Sequence, residues 1–187
     1  PTLDGKLDDA AWKAAPVMPL DMTLDGSNRA AVRTEVRAVL HDKTLYVGIR
    51  CAEPKMSGLV AEKRAHDGPV WSDDSIEMFL GAGGTYYHFG VNPLGSTYDG
   101  RVKDKSFNSG FKAAASKAEK AWTAELAIPL GELAGKGRLP TELKANFNRN
   151  RRAAGGWQEL DWSPTLTGNS HVPARFGQLI LSAPPKE

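Results

Sequence analysis

Ile76-Glu77-Met78-Phe79-Leu80, the string Gly81-Ala82-Gly83-Gly84, and Thr85-Tyr86-Tyr87-His88-Phe89-Gly90-Val91-Asn92 form the stretch whose reading decides the fold. Ile76, Met78 and Leu80 alternate with Glu77 and Phe79. Tyr87, Phe89 and Val91 alternate with Tyr86, His88, Gly90 and Asn92. Successive side chains of a strand point to opposite faces, so two such runs joined by glycines read as a hairpin. Its two faces differ in polarity. The glycine string precedes a second strand rather than a helix, so it reads as a turn and not as a phosphate cradle.

The same period extends in both directions. Val36, Ala38 and Leu40 share one side of a run that ends at the polar turn His41-Asp42-Lys43. Leu45, Val47, Ile49 and Cys51 then oppose Tyr46, Gly48 and Arg50, which makes a second hairpin. Trp122, Ala124, Leu126 and Ile128 alternate until Pro129, which cannot donate to a ladder. Phe147 among Asn146, Asn148, Arg149 and Asn150 reads as a polar strand, and Gln178 to Ser182 as a closing apolar one. The Ala-rich segment Asp8 to Ala15 reads as one short helix behind an Asp cap, ended by Pro16. Short strands at this spacing predict an all-β, antiparallel, jelly-roll-like β-sandwich with one short N-terminal helix. The sandwich is expected to fill residues 1–183 as a single domain, with 184–187 starting a linker, since consecutive prolines favour extended chain. The long irregular connection from Cys51 to Ser72 reads as a binding loop.

Composition narrows the function. The 187 residues carry 25% charged and 41% hydrophobic side chains, with a net charge of +2. The lysines and arginines are scattered, whereas nucleic-acid binding needs a clustered basic face. The single cysteine, Cys51, excludes an intrachain disulfide, and its alternation with core residues makes it packing rather than nucleophile. No apolar run approaches the roughly 20 residues that span a bilayer. A chain that starts at Pro1 without Met or leader is expected to be a mature or excised module.

Glu77, His88, Asn92, Glu125, Asn146 and Asn148 all fall opposite the apolar faces of their strands. Wet sheet faces are common, but this set lacks lysine and is rich in short hydrogen-bonding groups that order cheaply. Such groups match the hydroxyls of a sugar. Trp12 and Trp122 follow core spacing; Trp71, Trp157 and Trp162 sit at loop and strand ends, where a flat ring can stack on a pyranose. Glu77 with Asp73 or Glu125 could also be read as a hydrolytic carboxylate pair, a nonspecific signal. Met56, Met78 and His88 are the candidate axial ligands for a haem reading.

Taken in order, Leu3 to Trp12, Leu45 to Cys51, Val70 to Phe79, Tyr86 to Gly95, Trp122 to Leu130, Asn146 to Arg149, Trp162 to Pro164 and Pro173 to Gly177 resemble the family 9 carbohydrate-binding module and its DOMON-like superfamily. The resemblance implies a noncatalytic module, often with bound calcium, attached to a secreted glycan-active protein and gripping a sugar, such as a chain end, between two tryptophans. It places the first tryptophan at Trp71, the carboxylate at Glu77 and an amide at Asn92. The family's arginine falls on Gly90, so His88, Arg101 or Arg149 would have to replace it. The second tryptophan is assigned to Trp162, with Trp157 behind it. The ligand set expected is therefore Trp71, Glu77, His88, Asn92, Arg149 and Trp162, with Asp4, Asp73 and Asp74 as calcium ligands. A sugar-free structural or protein-interaction domain, and a haem-binding DOMON-like domain, are the alternatives.

Overall fold

In a computed structural model of the chain, which describes residues 1–131, 133 and 141–181, two antiparallel sheets pack face to face. One sheet contains β1 (Met18–Pro19), β3 (Thr34–His41), β4 (Thr44–Ala52), β9 (Ala121–Pro129) and β8 (Lys112–Lys117), in the spatial order β1-β3-β4-β9-β8. The other runs β2-β11-β10-β5-β6-β7: β2 (Met22–Thr23), β11 (Gln158–Asp161), β10 (Glu142–Arg151), β5 (Ser75–Ala82), β6 (Thr85–Val91) and β7 (Thr97–Arg101). A last strand, β12 (Gly177–Ile180), pairs with the start of β10. The expected all-β sandwich is the observed one. The linker expected at 184–187 lies outside the described residues.

Both hairpins read from alternation occur in the inferred register. Leu40 faces Leu45, and Ala82 faces Thr85 around Gly83 and Gly84, which both adopt positive φ. Glycine carries no Cβ penalty there, so the tight connection closes without strain. The period-two apolar residues form the core: Val36, Leu45, Val47, Ile49, Cys51, Ile76, Met78, Leu80, Phe89, Trp122, Leu126 and Phe147 are all fully buried. Burial among them pushes the Cys51 thiol up to about 12, which keeps it protonated and inert.

The helix α1 (Ala10–Ala14) sits behind Asp9 at its N-cap, but that carboxylate accepts the Thr2 amide instead of capping α1. What anchors the N-terminus is Glu125 on β9. Its carboxylate accepts the amides of Asp4 and Gly5 and the indole N–H of the buried Trp12. Glu125 therefore has a structural task in the first sheet and does not join the polar face of the second, contrary to the sequence reading.

Candidate functional site

The outer face of the second sheet carries Ser75, Glu77 and Phe79 from β5, His88 and Gly90 from β6, Tyr98 from β7, and Asn146, Asn148 and Asn150 from β10. Ladder pairing fixes this neighbourhood: Glu77 lies opposite Gly90 on one side and Asn148 on the other, and Phe79 lies between His88 and Asn146. A cavity of about 700 Å³ opens over this face. Its floor includes Glu77, His88, Tyr98 and Asn150, and its walls include Trp71, Trp157, Arg152, Glu159 and His171.

Gly90 positions the first wall. A Cβ there would come within 2.7 Å of Val70 Cγ2, so only glycine lets the 3₁₀ turn Val70–Ser72 lie directly on β6. The turn buries Val70 completely and leaves Trp71 39% exposed, facing the cavity. The Trp71 ring meets Tyr98 edge-on at 5.1 Å and lies roughly parallel to His88 at 6.2 Å. His88 stacks in turn on Phe79, with centroids 4.5 Å apart. These buried rings leave Trp71 little freedom to collapse into the space it borders.

Glu77 lies at the bottom of the cavity, 5% exposed. His88 Nε2 donates to its Oε2 at 2.5 Å, and Asn150 Nδ2 donates to Oε1 at 2.6 Å. Burial pushes this carboxyl up, but the His88 charge and hydrogen bond, joined by Asn150, outweigh burial and hold it below its ordinary value. Glu77 is therefore an ionised acceptor at neutral pH, not a proton donor. Desolvation, reinforced by the neighbouring His88, lowers His171 to about 4, so this wall imidazole is neutral; its Nδ1 is engaged by the Tyr86 hydroxyl at 3.0 Å, which leaves Nε2 for a ligand.

Arg152 completes the opposite wall. Its Nη2 donates to Trp71 O, Asn150 Oδ1 and Glu159 Oε1 at 3.1–3.2 Å. The guanidinium carbon stands 3.3 Å from the ring centroid of Trp157, an indole 70% exposed. A cation stacked on one face of Trp157 holds the ring while leaving its remaining surface wet.

Of the six ligand residues expected from sequence, the structure brings Trp71, Glu77 and His88 to the cavity. Asn92 is elsewhere: it donates to Glu62 O and Asp73 Oδ2 and accepts the amides of Leu94 and Ser96, which uses its hydrogen-bonding capacity on the β6–β7 turn. Arg149 points inward, fully buried, donating to Thr34 Oγ1 at 3.0 Å and lying 3.6 Å from Glu53. Trp162 packs edge-on against Phe147 and under Gly177, whose absent Cβ would meet the ring at 2.6 Å. None of these three lines the cavity. Arg152 and Trp157 line the cavity, whereas Arg149 and Trp162 do not. Asn150, Tyr98 and His171 were missed; Asn150 alone carried a signal, as the next step of the 146, 148 alternation.

The proposed calcium set does not fit one ion. Asp4 lies on the N-terminal loop against β9, where it caps the Lys6 amide. Asp73 is occupied by a bidentate Arg64 at 2.6 and 2.9 Å, with Asn92 at 2.8 Å. Burial raises the Asp73 carboxyl, but these donors outweigh it and hold the group below its usual range. Asp74 accepts the amides of Val60 and Arg152. The haem candidates do not converge either, since Met78 is core and His88 Nε2 is engaged by Glu77.

No curated protein matches the chain. Among solved structures, a carbohydrate binding module family 9 from Caldicellulosiruptor kristjanssonii in complex with cellotriose superposes with TM-score 0.74 at 17% identity, covering 98% of this chain and 90% of the other. A structure of the module from the same organism in complex with glucose gives TM-score 0.74 at 17% identity, over 100% and 94% of the two chains. At that identity the likeness speaks for the sandwich. Membership rests on the sequence itself, whose residues 3–183 match the family model described as carbohydrate family 9 binding domain-like, and the chain belongs to that family.

Proposed function

We propose that this domain is a noncatalytic carbohydrate-binding module that holds a mono- or oligosaccharide, such as a glycan chain end, in the cavity above Glu77. One observation carries the reading. Two outward-facing indoles, Trp71 and Trp157, border a single cavity whose floor presents an ionised carboxylate and an amide and whose wall presents a guanidinium. Indole faces cover the apolar C–H side of a pyranose, while Glu77, Asn150 and Arg152 match hydroxyl donors and acceptors. Family membership and the glucose- and cellotriose-bound neighbours support a sugar as the ligand class. The low-lying Glu77 carboxyl speaks against general-acid chemistry at this site. Such a module would serve a larger secreted glycan-active protein by keeping it on its substrate.

A glycan array that includes glucose and cellotriose tests the reading. The parent is expected to bind, and Trp71→Ala to lose at least about tenfold in affinity, or 1.4 kcal/mol, with little change in melting temperature. A parent that binds no glycan, or a Trp71→Ala protein that binds equally well, would overturn it.

A further inference from the structure

Beside the cavity, three side chains converge on one imidazole nitrogen of His66 and a fourth meets the other. His66 Nε2 lies 2.9 Å from Asp99 Oδ1, 3.0 Å from Asn108 Oδ1 and 3.4 Å from Asp67 Oδ1. Its Nδ1 is 3.0 Å from Thr97 Oγ1. One N–H can serve only one of the three oxygens, and two of the three are carboxylates. The Asp99 side chain is 2% exposed; its Oδ2 accepts the Ser109 amide, while its Oδ1 faces the His66 imidazole. Asn108 is held the same way round, because its amide nitrogen donates to Ser106 O and leaves the carbonyl oxygen facing the imidazole. Two carboxylate oxygens and a carbonyl oxygen around one ring nitrogen outnumber the donors available, which calls for positive charge among them.

We propose that His66, Asp67, Asp99 and Asn108 form a binding site for a divalent cation of the Zn²⁺ class. The His and Asp ligand atoms lie within 4.8 Å of one another. A tetrahedral ion with bonds of about 2.0–2.2 Å sets its ligands roughly 3.3–3.6 Å apart, so the spacings at His66 need to open by only a few tenths of an ångström. One imidazole with carboxylate and carbonyl oxygens suits zinc better than calcium, which takes oxygens alone. His66 retains 44% side-chain exposure, which gives the ion a way in from solvent. Bound there, the ion would tie the connection bearing Trp71 to β7 and to the segment after it.

Isothermal titration of ZnCl₂ into the untagged, chelator-stripped chain, without sugar, tests this independently of carbohydrate binding. Saturable one-to-one uptake is expected, with His66→Gln weakening it at least about tenfold. Asp99→Asn should weaken it as well; since Asp99 is buried, the exposed His66→Gln decides the matter should Asp99→Asn fail to fold. Absence of saturable uptake, as would follow if the imidazole alone neutralised the carboxylates, overturns the proposal. So does Zn²⁺ binding that His66→Gln leaves unchanged, or a preference for Ca²⁺ that survives the substitution.

Discussion

Replacing Gly90 by alanine puts a methyl group where the turn carrying Trp71 rests. The added Cβ would stand 2.7 Å from Val70 Cγ2, which no real contact tolerates, and Val70 is fully buried. The backbone of Gly90 is not in the left-handed region, so the substitution carries no conformational strain. It gains about 0.5–1 kcal/mol from restricting the unfolded chain. Overpacking of this kind costs about 1–3 kcal/mol, and the net loss is expected at about 0.5–2 kcal/mol. For a chain of this length that lowers the melting temperature by roughly 2–6 °C. Because the strained contact lies directly beneath Trp71, sugar affinity should fall by more than the stability loss predicts. Val70→Ala removes the clashing methyl. The double variant should therefore be more stable than the two single losses added together, with a coupling of at least about 0.5 kcal/mol by urea unfolding. Additive losses, or a Gly90→Ala protein with parental stability and affinity, would refute the packing argument.

Three further outcomes follow from the site and its supports. Trp157→Ala should weaken saccharide binding by titration calorimetry while leaving the melting temperature within a few degrees, since the ring is 70% exposed. Arg64→Met strands the buried Asp73 carboxylate and should cost about 3–5 kcal/mol in urea unfolding. The third concerns Asp161, whose carboxyl burial pushes up to about 7, only partly offset by the donors Asn148 and Asn146. A raised carboxyl pKa means stability fully present below the unfolded value near 4 and lost as pH climbs through about 7. Between pH 5 and 8 this group alone should remove about 2–3 kcal/mol, and Asp161→Asn should abolish that part of the decline. Asn148 can turn its amide to accept from the new residue, because its Oδ1 has no partner. Identical declines in parent and variant would contradict the assignment.

The strands were legible because apolar alternation and burial are the same fact seen twice: every other residue of 36–40, 45–51, 76–80 and 122–128 faces the opposite sheet. Trp71, Glu77 and His88 were legible for the complementary reason, lying on or beside the wet face of the deciding hairpin. The residues that lie away from the cavity do so for physical reasons. Arg149 has the opposite parity from Asn146, Asn148 and Asn150, so the pleat turns it inward to the Glu53 side of the sandwich. Asn92 lies just past the end of β6, where a side chain serves the turn rather than the face. Choosing between Trp157 and Trp162 required knowing that the Gly177 backbone covers Trp162 and that Arg152 stacks on Trp157. Contacts between segments distant in sequence leave no periodic trace.

The cavity draws its floor and its sides from different sources. Glu77, His88 and Asn150 are riveted to paired strands and to one another, whereas Trp71 and Trp157 arrive on two unrelated connections that end at opposite rims. Mutational drift can thus reshape either rim, and with it the preferred guest, while the hydrogen-bonded platform keeps its geometry. Directed evolution of a new glycan preference should accordingly concentrate its variation in 67–72 and 152–157 and spare the strands between them.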